Sequence, residues 1–327
     1  MKDNLKQSIL AAVADDLKEI EQALVDNLNP YLNRVREVAG HILFSGGKRI
    51  RPLLMILSAR CCGCHRSDLA NTAVLFEYLH TATLLHDDLV DEAVLRRGKP
   101  VANAIWGNAA AVLTGDFLLA RSSTLAVRAG KMEILEILAK ITENMSQGEL
   151  HQLVRKGQAD LSEEEYLQII RNKTAVLMQG ACLSGAILAE ASEAWKQALS
   201  DYGLHLGMAF QMADDLLDYT AETEKLGKSV GADLREGKFT LPLIVSLARA
   251  GRDDARRIKD IMNKQAFTTE EFLALNRLLD QYGGIAYTRE RAAAHVGQAK
   301  SALAVFAPSV ARDNLSMLAD YTLARNN

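Results

Sequence analysis

Proline is scarce in this sequence, and so is any sign of β structure. Only five of the 327 residues are proline, and long uninterrupted stretches carry apolar residues at helical spacing. No run of alternating β-branched residues bounded by turn signals predicts a convincing strand. These absences argue against a sheet-based fold and predict an all-α protein.

Cysteine is too rare for a disulfide-bonded scaffold, because a chain of this length contains only four. Three of them lie in residues 61–65 (Cys-Cys-Gly-Cys-His), where thiolates and an imidazole are clustered. Residues so close together cannot all surround one tetrahedral metal ion, and no second cluster follows at zinc-finger spacing. We interpret this segment as ordinary thiols at a helix end.

An excess of positive charge and a long hydrophobic run are also missing. The net charge is −3 at pH 7, which argues against a nucleic-acid partner. No window approaches the roughly 18 uninterrupted apolar residues of a membrane span, and the N-terminal residues show no signal-peptide core. Apolar residues still make up 49% of the chain, so we expect a soluble, cytoplasmic protein with a large core.

The most informative stretch is residues 76–97, an apolar segment without glycine or proline that predicts one long helix. It carries Asp87, Asp88 and Asp91, and residues four apart project from the same helix face. Carboxylates this close repel one another unless a cation lies between them. Oxygen-only ligands suit a hard divalent ion such as Mg²⁺, which often also binds a substrate phosphate.

A second copy of this acidic pattern occurs in a helix predicted over residues 193–220, where Asp214, Asp215 and Asp218 repeat the spacing. A single such turn would more often be a solvated acidic surface. Two copies inside apolar helices favour a shared site. Facing each other across a helical bundle, the two clusters would bind several Mg²⁺ ions and a diphosphate between them.

Cationic residues accompany the acidic turns. Residues 45–52 contain two glycines, three cations and a proline that can start a helix. This is either a basic surface turn or an anion site at a helix N-terminus, and the residues alone leave both open. Arg96 and Arg97 follow the first cluster and can bind phosphate oxygens bidentately. The polar, glycine-rich residues 221–239 predict a loop that could cover an anionic site.

The rest of the chain predicts further helices, and no low-complexity linker divides it. We predict a single all-α domain over residues 1–327, a bundle of about ten or more helices. The motifs fall in residues 40–245. The shorter helices of residues 246–327 complete a shell without chemistry of their own.

Several motifs occur together and in a fixed order. They are both aspartate clusters, the Gly-Gly-Lys-Arg-x-Arg-Pro turn, the following Arg-Arg-Gly, Lys173-Thr174, Phe210-Gln211 and the Gly-Lys-rich loop before Leu241-Pro242. As a set they resemble the trans-isoprenyl diphosphate synthases, and most closely the bacterial long-chain (octaprenyl) members. The resemblance covers residues 40–245. It implies the isoprenoid-synthase fold with helices around a central apolar tunnel, Mg²⁺ as cofactor with up to three ions per site, and a homodimer.

The resemblance also implies a prenyltransferase reaction and a role for each motif residue. An allylic diphosphate, expected to be farnesyl diphosphate, would ionise between the aspartate clusters, and the double bond of isopentenyl diphosphate would attack the cation. By this resemblance, metal binding and catalysis are assigned to Asp87, Asp88, Asp91, Asp214, Asp215 and Asp218. The residues that would bind the allylic diphosphate are Arg96, Lys173, Thr174, Gln211, Lys228 and Lys238, of which Arg96, Lys173 and Lys228 would also stabilise the charge of the departing diphosphate. The residues that would bind isopentenyl diphosphate are Lys48, Arg51, His80 and Arg97.

Two points stay open within these roles. Thr174 and Gln211 are polar residues in apolar helices, and such residues often only satisfy each other. No side chain is an obvious general base, so the departing diphosphate is the expected proton acceptor.

Product length in this family depends on the side chains that precede the first aspartate. A bulky aromatic four or five residues before it closes the tunnel early, but Thr83 and Ala82 are small. Eight isoprene units need about 40 Å, so the tunnel would continue past Leu79 and Phe76. We predict a product of about 30 to 50 carbons, with octaprenyl diphosphate for a quinone side chain as the best estimate. The alternative is a geranylgeranyl or farnesyl product, stopped by a deeper side chain.

Three other classes share parts of the pattern. A class I terpene cyclase would pair its aspartate helix with an Asn/Ser/Glu metal motif and would not need the Lys48, Arg51, His80 and Arg97 set. A non-catalytic helical partner subunit would lose one or both aspartate clusters. A di-iron bundle needs two Glu-x-x-His motifs and further glutamates, whereas we find only Glu77 with His80.

Overall fold

The computed structural model describes residues 2–96, 98–220, 231–264 and 267–324. Helices α1 to α5 are Lys2–Ala12, Ala14–Asn27, Asn33–Leu43, Ile50–Cys61 and Leu69–Val90. An antiparallel hairpin follows, made of β1 (Leu95–Arg96) and β2 (Lys99–Pro100). Helices α6 to α11 are Ala102–Trp106, Asn108–Arg128, Met132–Arg155, Glu163–Ile170, Val176–Leu188 and Glu193–Thr220. Helices α12 to α17 are Ala232–Arg235, Leu241–Arg249, Arg252–Met262, Thr269–Gln281, Gly284–Ala302 and Val310–Ala324.

The predicted all-α fold is confirmed, but the helix predicted over residues 76–97 is wrong at its C-terminal end. α5 ends at Val90, and Glu92 adopts a left-handed conformation with φ of 50°. Two backbone hydrogen bonds close this end in a Schellman arrangement. The aspartates also oppose a longer helix, because carboxylates are repelled by the negative end of the helix dipole. The short strands β1 and β2 pair there instead, which corrects the expectation of no strand.

α5 is the central helix of the fold. It is apolar on all sides, as expected for a helix with neighbours all around, and it packs against α2, α4 and α7. Tyr78 is fully buried on it and donates a hydrogen bond from its hydroxyl to the Leu24 carbonyl of α2, at 2.7 Å. Packing on several sides holds the helix that carries the first acidic turn in a fixed position.

Among the described residues, the buried apolar side chains form two hydrophobic clusters, and α11 belongs to both. Leu199 and Tyr202, in its first half, pack with residues of α4, α5 and α10. Met212 and Tyr219, in its second half, pack with residues of α9, α13 and α15. The second acidic turn therefore lies in the half of α11 that joins the second cluster. The organisation as a single domain remains a prediction.

α7 is the one helix in the described ranges that is long and apolar enough to cross a membrane by length and composition. It packs along α5, α3 and α8. One such helix is weak evidence for a span, because core helices of globular proteins meet the same criteria.

Candidate active site

A cavity of about 1060 Å³ lies between α5, α8, α11 and the turn before α4. Its size is at the upper end of the range for small-molecule sites. Asp87 of α5 and Asp214 of α11 both line it, so the two acidic turns share one cavity. Its wall also contains seven other residues predicted to bind substrate, which are Lys48, Arg51, His80, Arg96, Lys173, Thr174 and Gln211.

Both acidic turns lie at the C-terminal ends of long helices, α5 and α11. The negative ends of the helix dipoles add to the charge of the carboxylates and make this part of the cavity attractive to cations. Burial, and after it the neighbouring Glu149 carboxylate, raises the pKa of Asp87 to about 7. Hard, oxygen-only donors in such a setting fit a divalent ion of the Mg²⁺ type.

The middle aspartate of each cluster is buried and is bound by a neighbouring side chain. Asp88 is 2% exposed and is bound by the Arg96 guanidinium, with Nη2 2.8 Å and Nε 2.9 Å from Oδ1. Asp215 is 4% exposed and accepts hydrogen bonds from the Tyr166 hydroxyl at 2.6 Å and from Gln211 Nε2 at 2.8 Å. Burial raises the pKa of Asp215 to about 6, against the lowering effect of these two bonds.

The last aspartate of each cluster contacts the segment that follows residue 230. Asp91 Oδ2 lies 3.7 Å from the Lys238 ammonium, which also pairs with Glu236. Asp218 accepts a hydrogen bond from the backbone N–H of Asp233 at 2.9 Å. Lys238, a predicted substrate residue, is therefore next to the first acidic turn but does not line the cavity.

Within the residues that the structure describes, no three His, Cys, Asp or Glu side chains are grouped as a metal-binding set. In each aspartate cluster, the first side chain lines the cavity and the other two are bound to neighbouring protein groups. The thiols of residues 61–65 are free, and burial raises the pKa of Cys62 to about 12. A thiol that stays protonated is a poor metal ligand, which agrees with our interpretation of that segment.

Lys173 and Thr174 lie in a π-helical segment, Arg171–Ala175, between α9 and α10. Such wide turns are frequent at functional sites. Gly148 of α8 allows the segment to approach, since a Cβ at that position would lie 2.9 Å from the Lys173 backbone nitrogen. Thr174 donates a hydrogen bond to Gln211 Oε1 at 2.8 Å. These two side chains thus form a hydrogen bond with each other and also line the cavity.

Sequence reasoning assigned no role to the partners of Lys173 on α8. The Lys173 ammonium lies 2.6 Å from Glu149 Oε2 and donates a hydrogen bond to Gln152 Oε1 at 2.7 Å. Glu149 and Gln152 are three residues apart and hence share a helix face. That spacing could have indicated that Glu149 and Gln152 act together, but only the fold shows that their helix faces Lys173.

The turn before α4 forms another part of the cavity wall. Lys48 and Arg51 lie there with His80 of α5, and the Lys48 ammonium is 5.4 Å from the centre of the Tyr321 ring. Arg51 is in the first turn of α4, where free N–H groups favour anions. The turn therefore borders the cavity, as its interpretation as an anion site requires.

Arg49 lies between these two cations in the sequence, and the sequence pattern did not indicate its structural role. Its side chain is 5% exposed and pairs with Glu77 and Glu21. Glu77 is thus bound to an arginine, and the di-iron interpretation of its spacing to His80 finds no support. Two predicted substrate residues, Arg97 and Lys228, lie outside the described residues.

The cavity has an apolar part along α5. Leu79, Ala82 and Thr83 line it, together with Leu119 of α7 and Met145 of α8. Phe76 is fully buried but does not line the cavity. Three of the four residues predicted to influence product length therefore contact this space.

A sequence model described as Polyprenyl synthetase matches residues 32–278. The chain belongs to the polyprenyl synthetase family. Among its relatives in this family, the octaprenyl diphosphate synthase of Escherichia coli (strain K12) is 37% identical over 320 residues, which cover 98% of this chain and 99% of the relative. The all-trans-nonaprenyl-diphosphate synthase (geranyl-diphosphate specific) of Rhodobacter capsulatus is 38% identical over 328 residues, with 99% of each chain covered.

A solved structure is similar to this polyprenyl synthetase over its whole length. The polyprenyl synthase from Caulobacter crescentus CB15, complexed with calcium and isoprenyl diphosphate, superimposes with a TM-score of 0.91 and 40% identity, covering 100% of this chain and 98% of that chain. The resemblance to the trans-isoprenyl diphosphate synthases is thereby confirmed, and the chain is a prenyltransferase. The names of its relatives differ in product length, so they do not fix the length here.

Proposed function

We propose that this enzyme adds isopentenyl diphosphate units head to tail onto an allylic diphosphate, with farnesyl diphosphate as the primer. The product would be an all-trans chain of about 30 to 50 carbons, and octaprenyl diphosphate for a quinone is our best estimate. The observation that carries this proposal is that Asp87 and Asp214, from two separate helices, line one cavity with Arg96 and Lys173. Such a cavity can bind a doubly anionic diphosphate and its metal ions.

Mg²⁺ is the cofactor that we propose, with up to three ions held by the two acidic turns, of which Asp87 and Asp214 line the cavity. The polyprenyl synthase of Caulobacter crescentus was crystallised with calcium and isoprenyl diphosphate, and both metals prefer oxygen ligands. When bound, such ions stabilise the negative charge of a departing diphosphate. Asp88 and Asp215, bound to Arg96 and Tyr166, would hold the two helix ends in position.

The protein's own cations would bind both substrates. Lys173 would leave Glu149 to bind the allylic diphosphate, and Lys48, Arg51 and His80 would bind isopentenyl diphosphate. The allylic C1–O bond breaks, the isopentenyl C4 bonds to that carbon, and the proton lost from C2 passes to the departing diphosphate. Apolar side chains such as Leu79 and Leu119 would keep water from the carbocation.

The apolar part of the cavity would accommodate the growing chain. Ala82 and Thr83 leave space beside the first acidic turn, and Leu79, Leu119 and Met145 line the space beyond. A geranylgeranyl or farnesyl product remains the alternative, in which one of these deeper side chains stops growth.

The test is a condensation assay with the purified protein, Mg²⁺, farnesyl diphosphate and radiolabelled isopentenyl diphosphate. We expect label in a long prenyl chain whose length chromatography gives, and no incorporation after chelation with EDTA or without the primer. A cyclised hydrocarbon would identify a terpene cyclase. Absence of incorporation with every allylic primer would favour the interpretation of the chain as a non-catalytic partner subunit. A product of geranylgeranyl length would show that the long-chain assignment is wrong.

We further propose a cytoplasmic homodimer formed through the outer face of α7. Leu113 and Val127 on this face are 65% and 63% exposed, close to the exposed Ala109 and Ala120. A two-fold axis through this face would bury these exposed apolar side chains on both subunits. Light scattering should give twice the chain mass of 35.8 kDa. All four cysteines are free thiols, which fits a reducing compartment.

A further inference from the structure

The turn before α4 contains one residue in an unusual backbone conformation. Arg49 has φ of 49°, in the left-handed region that residues other than glycine seldom adopt. It precedes α4 directly and lies between Lys48 and Arg51. A conformation of this kind persists only when surrounding contacts hold it, and in Arg49 the side chain supplies those contacts.

The Arg49 guanidinium joins three helices. Its Nε donates to Glu21 Oε1 of α2 at 2.6 Å, and its Nη1 donates to Glu77 Oε1 of α5 at 3.0 Å. Its Nη2 donates to the Leu43 carbonyl at the end of α3, at 2.5 Å. The planar fork of arginine suits this task, since it presents several donors in fixed directions. Glu21 is on the exposed side, whereas the pair with Glu77 is buried.

The buried pair connects the turn to the helix that carries His80. Glu77 is three residues before His80, hence on the same face of α5, and both side chains line the cavity. Arg49 thereby couples the position of the turn, with Lys48 and Arg51, to the position of His80. These are the described residues to which we assign isopentenyl diphosphate. The described residues assigned to the allylic diphosphate lie outside α4 and α5, although α5 also carries the first acidic turn.

We propose that Arg49, held by Glu77, is a positioning residue specific for isopentenyl diphosphate. It keeps the turn and α5 in the arrangement in which Lys48, Arg51 and His80 converge on one diphosphate. Arg49 borders the cavity, but its side chain is only 5% exposed and its guanidinium is already bound to Glu21, Glu77 and the Leu43 carbonyl, so it does not bind that diphosphate itself. This inference rests on the proposed function. It predicts that a substitution of Arg49 weakens the binding of isopentenyl diphosphate and leaves the binding of the allylic diphosphate unaffected.

The test is a comparison of kinetic constants for Arg49→Lys and Glu77→Gln with those of the wild type. Lysine keeps the charge but loses the fork, and glutamine keeps the shape of Glu77 but loses its charge. For each variant we expect the KM for isopentenyl diphosphate to rise about tenfold or more, with the KM for farnesyl diphosphate and kcat changed by less than about twofold. The double variant should resemble the worse single variant, because the two residues act as one unit.

Arg60→Lys is the matched control. Arg60 is at the other end of α4 and pairs with the buried Asp16 of α2 at 2.5 Å, so it joins α4 to α2 away from the cavity. Its replacement should lower Tm as much as Arg49→Lys does, with both KM values unchanged.

The possible failures can be told apart. If the wild type condenses the substrates but Arg49→Lys and Glu77→Gln change only Tm, or raise both KM values together, the positioning role is wrong and the proposed function stands. If the wild type itself does not condense them, the proposed function fails and this inference fails with it. If Arg49→Lys does not fold, Glu77→Gln decides the question alone.

Discussion

At the scale of single residues, Tyr166 shows how a side chain outside the motifs supports them. Its hydroxyl donates to Asp215 at 2.6 Å, while Gln211 donates to the other oxygen of the same carboxylate. Hydrogen bonds of this kind fix the orientation of acidic side chains at metal sites, and their loss commonly weakens metal affinity by about 10- to 100-fold. Tyr166 therefore acts on the second acidic turn from α9.

We predict that Tyr166→Phe raises the Mg²⁺ concentration needed for half-maximal condensation by about tenfold. The reason is that Asp215, which would hold the end of α11 that carries Asp214, loses a buried donor and with it a fixed orientation. Tyr202→Phe is the control, because the Tyr202 hydroxyl is equally buried but donates to the Leu315 carbonyl. An unchanged Mg²⁺ requirement in Tyr166→Phe would contradict this role.

Ala82 is the residue at which product length can be tested. We expect Ala82→Tyr to shorten the product, because a phenol would fill the apolar part of the cavity beside the first acidic turn. Chromatography of the products gives the answer. Asn71→Tyr, at an exposed position of the same helix, should leave the length unchanged. A full-length product from Ala82→Tyr would show that the chain does not pass this residue.

At the scale of elements, the π-helical segment determines where Lys173 and Thr174 lie. We predict that Gly148→Ala lowers turnover by about tenfold or more, since its Cβ would meet the Lys173 backbone at 2.9 Å and displace the segment. Circular dichroism should report an unchanged helical content. Gly297→Ala on α16 is the control, because its Cβ would meet nothing within 4 Å. It should keep full turnover and gain about 0.5–1 kcal/mol in stability. Wild-type turnover in Gly148→Ala would mean that the segment tolerates displacement.

The elements also show what the sequence could and could not predict. The helix over residues 193–220 was predicted with its observed bounds, because its apolar periodicity is uninterrupted. The end of α5 was missed because Glu92 adopts a left-handed conformation that usually requires glycine or asparagine. The π-helical segment has no sequence signature either. It depends on the contact with Gly148, a residue of another helix.

At the scale of the whole molecule, the motifs indicated which residues matter, whereas the packing of the helices determines how they are paired. Six aspartates look equivalent in the sequence, but the fold buries Asp88 and Asp215 against Arg96 and Tyr166. Arg49 looks like its exposed neighbour Lys48 and is instead buried between helices. Such partners come from distant parts of the chain, so spacing alone could not predict them.

A histidine pair between α11 and α16 is the feature from which we expect the stability of the whole fold to depend on pH. His205 Nδ1 and His295 Nδ1 are 2.9 Å apart, a distance at which they can share only one proton. Burial, followed by the proximity of His205 and Arg291, lowers the pKa of His295 to about 4, against about 6.5 for a free histidine. Between these values the unfolded chain binds more protons than the folded one.

We therefore predict that this pair destabilises the fold as the pH falls from about 6.5 towards 4, by on the order of 2 kcal/mol. Above that range its effect disappears. Urea unfolding at pH 7.5 and pH 5 should show a smaller loss of stability for His295→Gln than for the wild type. Equal losses in the two proteins would show that the pair does not cause the acid sensitivity.

The central claim is that the two acidic turns act together on one diphosphate, and single replacements on each side of the cavity test it most directly. The measurement is the rate of label incorporation from isopentenyl diphosphate by Asp87→Ala, by Asp214→Ala and by the control Asp201→Ala, which is on α11 but does not line the cavity. We predict that Asp87→Ala and Asp214→Ala each lower the rate at least about a hundredfold with helical content intact, while Asp201→Ala keeps it. A near-wild-type rate in either cavity variant would contradict the account.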